Sequence, residues 1–145
     1  MQNIDPNTPK LDQYTKDLPQ NEEDLFNLCS FLVFDENYAI ELVGSKEKFV
    51  ELLALMLEKN VVAADVAKIK SAYAAKDWNR VQELAHKIKG GALYIGAFKM
   101  KMACQYLERY WKVGKRDLLE KLYQQMLAVI AETLKAASLR LHNGE

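Results

Sequence analysis

Ala85-His86-Lys87-Ile88-Lys89-Gly90-Gly91-Ala92 places two adjacent glycines inside a helical pattern, and the reading of that conflict decides the fold. Each glycine in a helix interior costs about 1 kcal/mol relative to alanine. A helix ending at Lys89, with Gly90 as its cap, would remove the conflict. The phase of the apolar residues speaks against an ending. Val81, Leu84, Ala85, Ile88, Ala92 and Ile95 keep helical spacing straight through the glycines. The spacing therefore predicts one helix from an Asp77 N-cap to about Ile95, and the glycines need a reason other than termination.

Outward from this segment the helical reading continues. After Gly96 a helix is expected over about 98–113, closed by Gly114. A last one follows over about 116–139, with Leu119, Leu122, Met126, Ile130, Leu134 and Ala137 on its stripe. On the N-terminal side Ser45 reads as the N-cap of a stretch carrying Phe49, Leu52, Leu53 and Met56, then Val62, Val66, Ile69 and Tyr73. Asn60 interrupts it, so this is one helix of about 30 residues or two in succession. Asp35 is expected to cap a short helix ended by Gly44, and Asn21 another. The expected fold is all-α: an antiparallel four-helix bundle whose short N-terminal helices cover one end or side. Residues 1–20 are polar, hold Pro6, Pro9 and Pro19, and read as a tail; residues 21–142 read as one domain.

Composition removes several functions. Of the 145 residues 50% are hydrophobic, enough for a core in one domain. Lys plus Arg number 20 and so do Asp plus Glu, so there is no basic excess to favour nucleic acid or a membrane surface. Cys29 and Cys104 form no motif, which points to a reducing compartment. With His86 and His142 they offer no ligand spacing, so no metal site is expected. The N-terminus has no basic and apolar signal segment, and no apolar run approaches the roughly 20 residues of a membrane span. A cytoplasmic location is the expectation.

The chemistry centres on His86. On a wheel of about 100° per residue it falls about 150° from the middle of the apolar stripe and points to solvent. Gln82, Lys89, Gly90 and Leu93 share its face. Gly90 lies one turn later, where any side chain would crowd the ring. A neutral imidazole is a nucleophile near pH 7 without help from a second residue. Lys89 could pair with a phosphoryl group on it, and Lys87 adds positive potential. No Gly-rich phosphate loop, no Ser/His/Asp set and no metal cluster accompanies it. Any nucleotide or Mg²⁺ must come with a partner.

His86-Lys87-Ile88-Lys89-Gly90-Gly91-Ala92 with Ile95-Gly96 resembles the signature of the histidine-containing phosphotransfer domain: His, any residue, apolar, Lys, Gly, two small residues, then an apolar-Gly pair. The resemblance implies a four-helix bundle with the active His on its second long helix. It implies that His86 relays a phosphoryl group between aspartates of response-regulator receiver domains, downstream of a hybrid histidine kinase. It further implies Lys89 beside the phosphoryl group, Gly90 as the gap where a receiver docks, no cofactor of its own (Mg²⁺ belongs to the receiver), and a monomer. The family often carries Gln 22 residues after the His. Here that position is Glu108, with Gln105 one turn earlier. A carboxylate there would accept from Nδ1–H yet repel phosphate.

Lys101, Gln105, Glu108 and Lys112 share one side of their helix, either as a solvated face or as a partner contact near His86. Gly91 extends the bare backbone, and Leu93 is an apolar candidate for docking. Trp78 and Trp111 read as packing residues, Met100, Met102 and Met126 as core filling, and Cys104 as a buried small hydrophobe. His142 lies in a terminal stretch expected to fray, without Lys and Gly at the matching offsets. The alternative function is a helical module that binds receivers or kinases without phosphoryl transfer. An enzyme of the di-metal bundle type would need paired inward Glu-x-x-His motifs, and Glu83 with His86 is the sole such pair.

Overall fold

A computed structural model describes residues 18–143. Most of the expected N-terminal tail, residues 1–17, lies outside the described residues. A 3₁₀ turn, Glu22–Phe26, is followed by six α-helices: α1 (Glu36–Val43), α2 (Lys46–Glu58), α3 (Val61–Ala74), α4 (Trp78–Tyr94), α5 (Phe98–Lys112) and α6 (Leu119–His142). No strand occurs among the described residues.

Three of the helix starts follow from side chains that accept otherwise orphaned backbone N–H groups. Asp35 accepts from Tyr38 N, Ser45 from Lys48 N and Asp77 from Arg80 N, each at 3.1 Å. Asn21 precedes the 3₁₀ turn without a side-chain cap bond. The stretch after Ser45 is two helices rather than one: Asn60 adopts a left-handed conformation (φ 51°) and turns the chain between α2 and α3. α2 packs on α1 and α6, whereas α3 packs on α4. Together α2 and α3 form the first column of an antiparallel bundle whose other members are α4, α5 and α6. The 3₁₀ turn and α1 cover it, the latter tied to α6 by Glu36–Arg140.

The last helix departs from expectation. It starts at Leu119, not near Arg116, because residues 115–118 are held as a turn. Arg116 donates to the Trp111 carbonyl (3.0 Å) and Leu118 N donates to the Tyr110 hydroxyl (3.1 Å). It also runs on to His142, whose Nδ1 pairs with the Ser138 carbonyl at 2.8 Å, so this histidine belongs to a helix and not to a frayed end.

The core is Phe49, Leu53, Ile69, Val81, Ala85, Met100, Leu107, Leu122, Met126 and Ile130, all essentially inaccessible. Cys104 is buried with them, and burial pushes its thiol up to about 12. Trp78 and Trp111 pack half-buried against the core, as does Met102. Gly96 (φ 66°) makes the α4–α5 turn. A Cβ there would sit 2.4 Å from the Asp35 carbonyl oxygen, and Asp35 N in turn donates to Gly96 O at 2.8 Å. That contact locks the entry to α1 against the end of the helix that carries His86. No described helix is long and apolar enough to cross a membrane.

Candidate functional site

α4 continues without a break through Gly90 and Gly91 to Tyr94, as the apolar phase requires. Val81, Leu84, Ala85, Ile88 and Ala92 point into the core, and His86 points out, with 61% of its side chain exposed. Gly90 and Gly91 are exposed, and a Cβ built on either meets nothing within 4 Å. Nothing inside the chain therefore demands glycine at these two helical positions.

The wheel placed Gln82 and Lys89 on the solvent side with His86. Both are buried, because α5 packs along that flank of α4 and roofs it. Gln82 donates to Asn79 Oδ1 at 3.0 Å. Lys89 donates to Glu108 Oε1 at 2.8 Å. Leu93 is half-buried, so the exposed apolar side chain at this end of α4 is its neighbour Tyr94. Lys87 is exposed at its stem but its amine donates to Asp65 Oδ1 on α3 at 2.9 Å, away from His86. Gln105 lies half-buried on α5 and joins none of these bonds.

Glu108 organises the site. It was expected on a solvated or partner-facing strip, yet it has no exposed surface. Its Oε2 lies 2.8 Å from His86 Nδ1, 3.0 Å from Lys112 Nζ and 3.2 Å from Arg109 Nη1, while Oε1 takes Lys89. Burial alone would raise the carboxyl, but the bonds from Lys89 and Lys112, with the charges of Lys89 and Arg109, outweigh it and hold Glu108 below the ordinary carboxylate range. No buried side-chain N or O among the described residues is left without a partner. Of these residues, Lys112 was visible in sequence only as part of the polar strip, one helical turn after Glu108. Arg109 and Asp65 carried no signal that set them apart from surface charges.

An ionised carboxylate can only accept, so Nδ1 carries the hydrogen and donates it. The lone pair is then on Nε2, the nitrogen away from Glu108. The site is a nucleophile whose tautomer and ring orientation are set by a buried anion, beside uncovered helical backbone. Next to it, α2, α3 and α4 enclose an apolar groove of about 520 Å³, bordered by Leu55, Val61, Ile88, Gly91 and Tyr94. Leu55, Val61 and Tyr94 are all substantially exposed there. No group of three or more His, Cys, Asp or Glu side chains suited to a metal ion occurs among the described residues.

Comparison with known proteins bears on this arrangement. The sequence profile of the Hpt domain matches residues 51–138, which contain α3 to α5 whole together with most of α2 and α6. Multistep phosphorelay regulator 1 of Schizosaccharomyces pombe is 30% identical over 64 residues, 44% of this chain and 22% of that protein. The chain thus matches only about a fifth of that relative's length. No solved structure matches the chain. A profile match over more than half of the sequence, on a helical bundle that presents the motif histidine outward, establishes that the chain belongs to the Hpt domain family.

Proposed function

We propose that this chain is a phosphoryl carrier of a phosphorelay, taking a phosphoryl group on Nε2 of His86 from an aspartate of one receiver domain and delivering it to another. The observation that carries this reading is the pairing of an exposed imidazole with a fully buried, ionised Glu108 on its Nδ1 side. In the forward step the Nε2 lone pair attacks phosphorus, the bond from phosphorus to the aspartyl oxygen breaks, and the aspartate leaves as its carboxylate. The ring becomes a phospho-imidazolium that keeps its Nδ1–H. Glu108 opposes the positive charge that develops there, as the orienting carboxylate does in other activated-histidine sites. In the return step the same cationic ring is a good leaving group, and phosphorus passes to the second aspartate.

The chain contributes His86, its electrostatic setting and a docking face; Mg²⁺ and the aspartates come with the receivers. Gly90 and Gly91 leave room for a receiver to approach, and the apolar groove bordered by Leu55, Val61 and Tyr94 offers the contact area. The functional unit in this reading is the helical span 21–142, acting as a monomer and as a carrier, not a kinase.

Incubation with a phosphorylated receiver is expected to move label onto this chain as a base-stable, acid-labile phosphate. His86→Gln is expected to keep its fold by circular dichroism and take no label. Undiminished labelling of that variant would refute the assignment, and tight receiver binding with no transfer to the native chain would favour a pure interaction module.

A further inference from the structure

The apolar groove between α2, α3 and α4 holds a feature that a contact face for another protein does not call for. Its rim is the exposed Leu55, Val61 and Tyr94. Its floor is buried and apolar, with Ile88 and Ala92 of α4, save for one carboxylate, Asp65 of α3, which is 3% exposed. A carboxylate taken out of water among apolar side chains is costly unless its oxygens are hydrogen-bonded. Asp65 is half provided for. Lys87 Nζ donates to its Oδ1 at 2.9 Å. No hydrogen bond falls on Oδ2 among the described residues. Nor is that oxygen sealed inside the protein, since no fully buried side-chain oxygen among the described residues lacks a partner. It therefore opens on the groove that Asp65 lines.

The charges around the groove decide what can use this oxygen. Lys87 already supplies the positive charge that Asp65 needs, and Lys59 adds a second to the lining. A further cation would be repelled by both, and an anion would meet the bare oxygen. What is missing is a hydrogen-bond donor without charge, a hydroxyl or an N–H, on a body apolar enough to lie against Ile88 and Ala92. The groove's volume, about 520 Å³, falls within the roughly 300–1,000 Å³ of small-molecule sites, which combine apolar walls with a few placed polar groups in this way.

We propose that the groove is a binding site for a small, uncharged, mainly apolar molecule whose single hydroxyl or N–H donates to Asp65 Oδ2. Gly91 also lines the groove, five residues beyond His86 on the same helix, so an occupant stands on the face to which a receiver would come. Occupancy then slows transfer from a receiver without touching the imidazole. That consequence rests on the phosphocarrier reading of His86; the site itself does not.

The test is an NMR titration of the ¹⁵N-labelled full chain with indole, whose N–H is its sole polar group, and with 1-methylindole, which lacks it. Indole is expected to shift the amides of Leu55, Val61, Gly91 and Tyr94 saturably. 1-Methylindole is expected to bind at the same amides about ten-fold more weakly, for one lost hydrogen bond to a charged acceptor. Asp65→Ala, its ¹H–¹⁵N spectrum showing that the bundle is retained, is expected to bind the two compounds alike. Transfer of label from a phosphorylated receiver is expected to fall over the indole concentrations that shift these amides, and to fall much less in Asp65→Ala. Equal affinities of the native chain for the two compounds, or no groove shifts with either, would overturn the site. Groove shifts produced by an unphosphorylated receiver but by neither compound would overturn it too, giving the groove to a protein side chain. Unchanged transfer with the groove filled would overturn the inhibition and leave the site. A native chain that takes no label on His86 would overturn the phosphocarrier reading, and the site would stand on the titration.

Discussion

Glu108 holds the ring of the exposed His86 by its Nδ1, and its depth was invisible in sequence. A helical wheel reports which side of one helix a residue occupies, not what lies over that side. Lys89, Gln82 and Glu108 all sit on polar arcs of their own helices, and all three are buried because the polar arcs of α4 and α5 face each other at this point. The outward projection of His86 was legible, since nothing packs over its arc. The buried cluster has a measurable acid signature. Glu108 is held below its ordinary value of 4.5, so it binds fewer protons folded than unfolded near that pH. Its contribution is fully present above the unfolded value and is lost as the pH falls through the lower, folded one. Chemical denaturation at a series of pH values is expected to show native stability declining through this acidic window. Glu108→Gln, less stable at pH 7 by about 1–3 kcal/mol for a broken buried ionic cluster, is expected to decline less steeply there. Parallel curves for the two proteins would contradict the assignment.

At the scale of elements, the glycines divide into two kinds that sequence alone does not separate. Gly96 is needed by the fold: its positive φ and the 2.4 Å approach of a Cβ to the Asp35 carbonyl leave no room for a side chain. Gly90 and Gly91 have helical geometry and open space around them, so the fold has no use for them. Opposite effects are therefore expected in thermal or denaturant unfolding. Gly96→Ala should lose about 2–4 kcal/mol from the left-handed strain and the backbone clash together. Gly90→Ala should gain about 1 kcal/mol from helix propensity while slowing transfer from a receiver, because the added methyl group stands where the partner approaches. A Gly90→Ala chain that is destabilised would mean the position is structural after all. The starts of α1, α2 and α4 were legible because each is written in an adjacent capping residue, Asp35, Ser45 and Asp77. The late start of α6 was not, since the Tyr110 hydroxyl that holds residues 115–118 comes from the preceding helix.

For the whole molecule, the periodicity of apolar residues was sufficient for a helical bundle, and the break at Asn60 was visible as a choice between one helix and two. What the pattern could not supply was the arrangement between helices. α2 packs on α6 and α3 on α4, and the apolar groove beside His86 lies between α2, α3 and α4. The packing of α5 over α4 delivers the Glu108 carboxylate to the Nδ1 edge of His86. Both are tertiary facts with no local spacing to announce them. They combine to present one ring nitrogen to a partner and to hold the other in the protein. The direct measurement is a ¹⁵N–³¹P coupling experiment on histidine-labelled chain phosphorylated by a receiver. Coupling of phosphorus to Nε2 of His86, with Nδ1 still bearing its hydrogen, is the predicted result. Phosphorus on Nδ1, or on any other residue, would contradict the account.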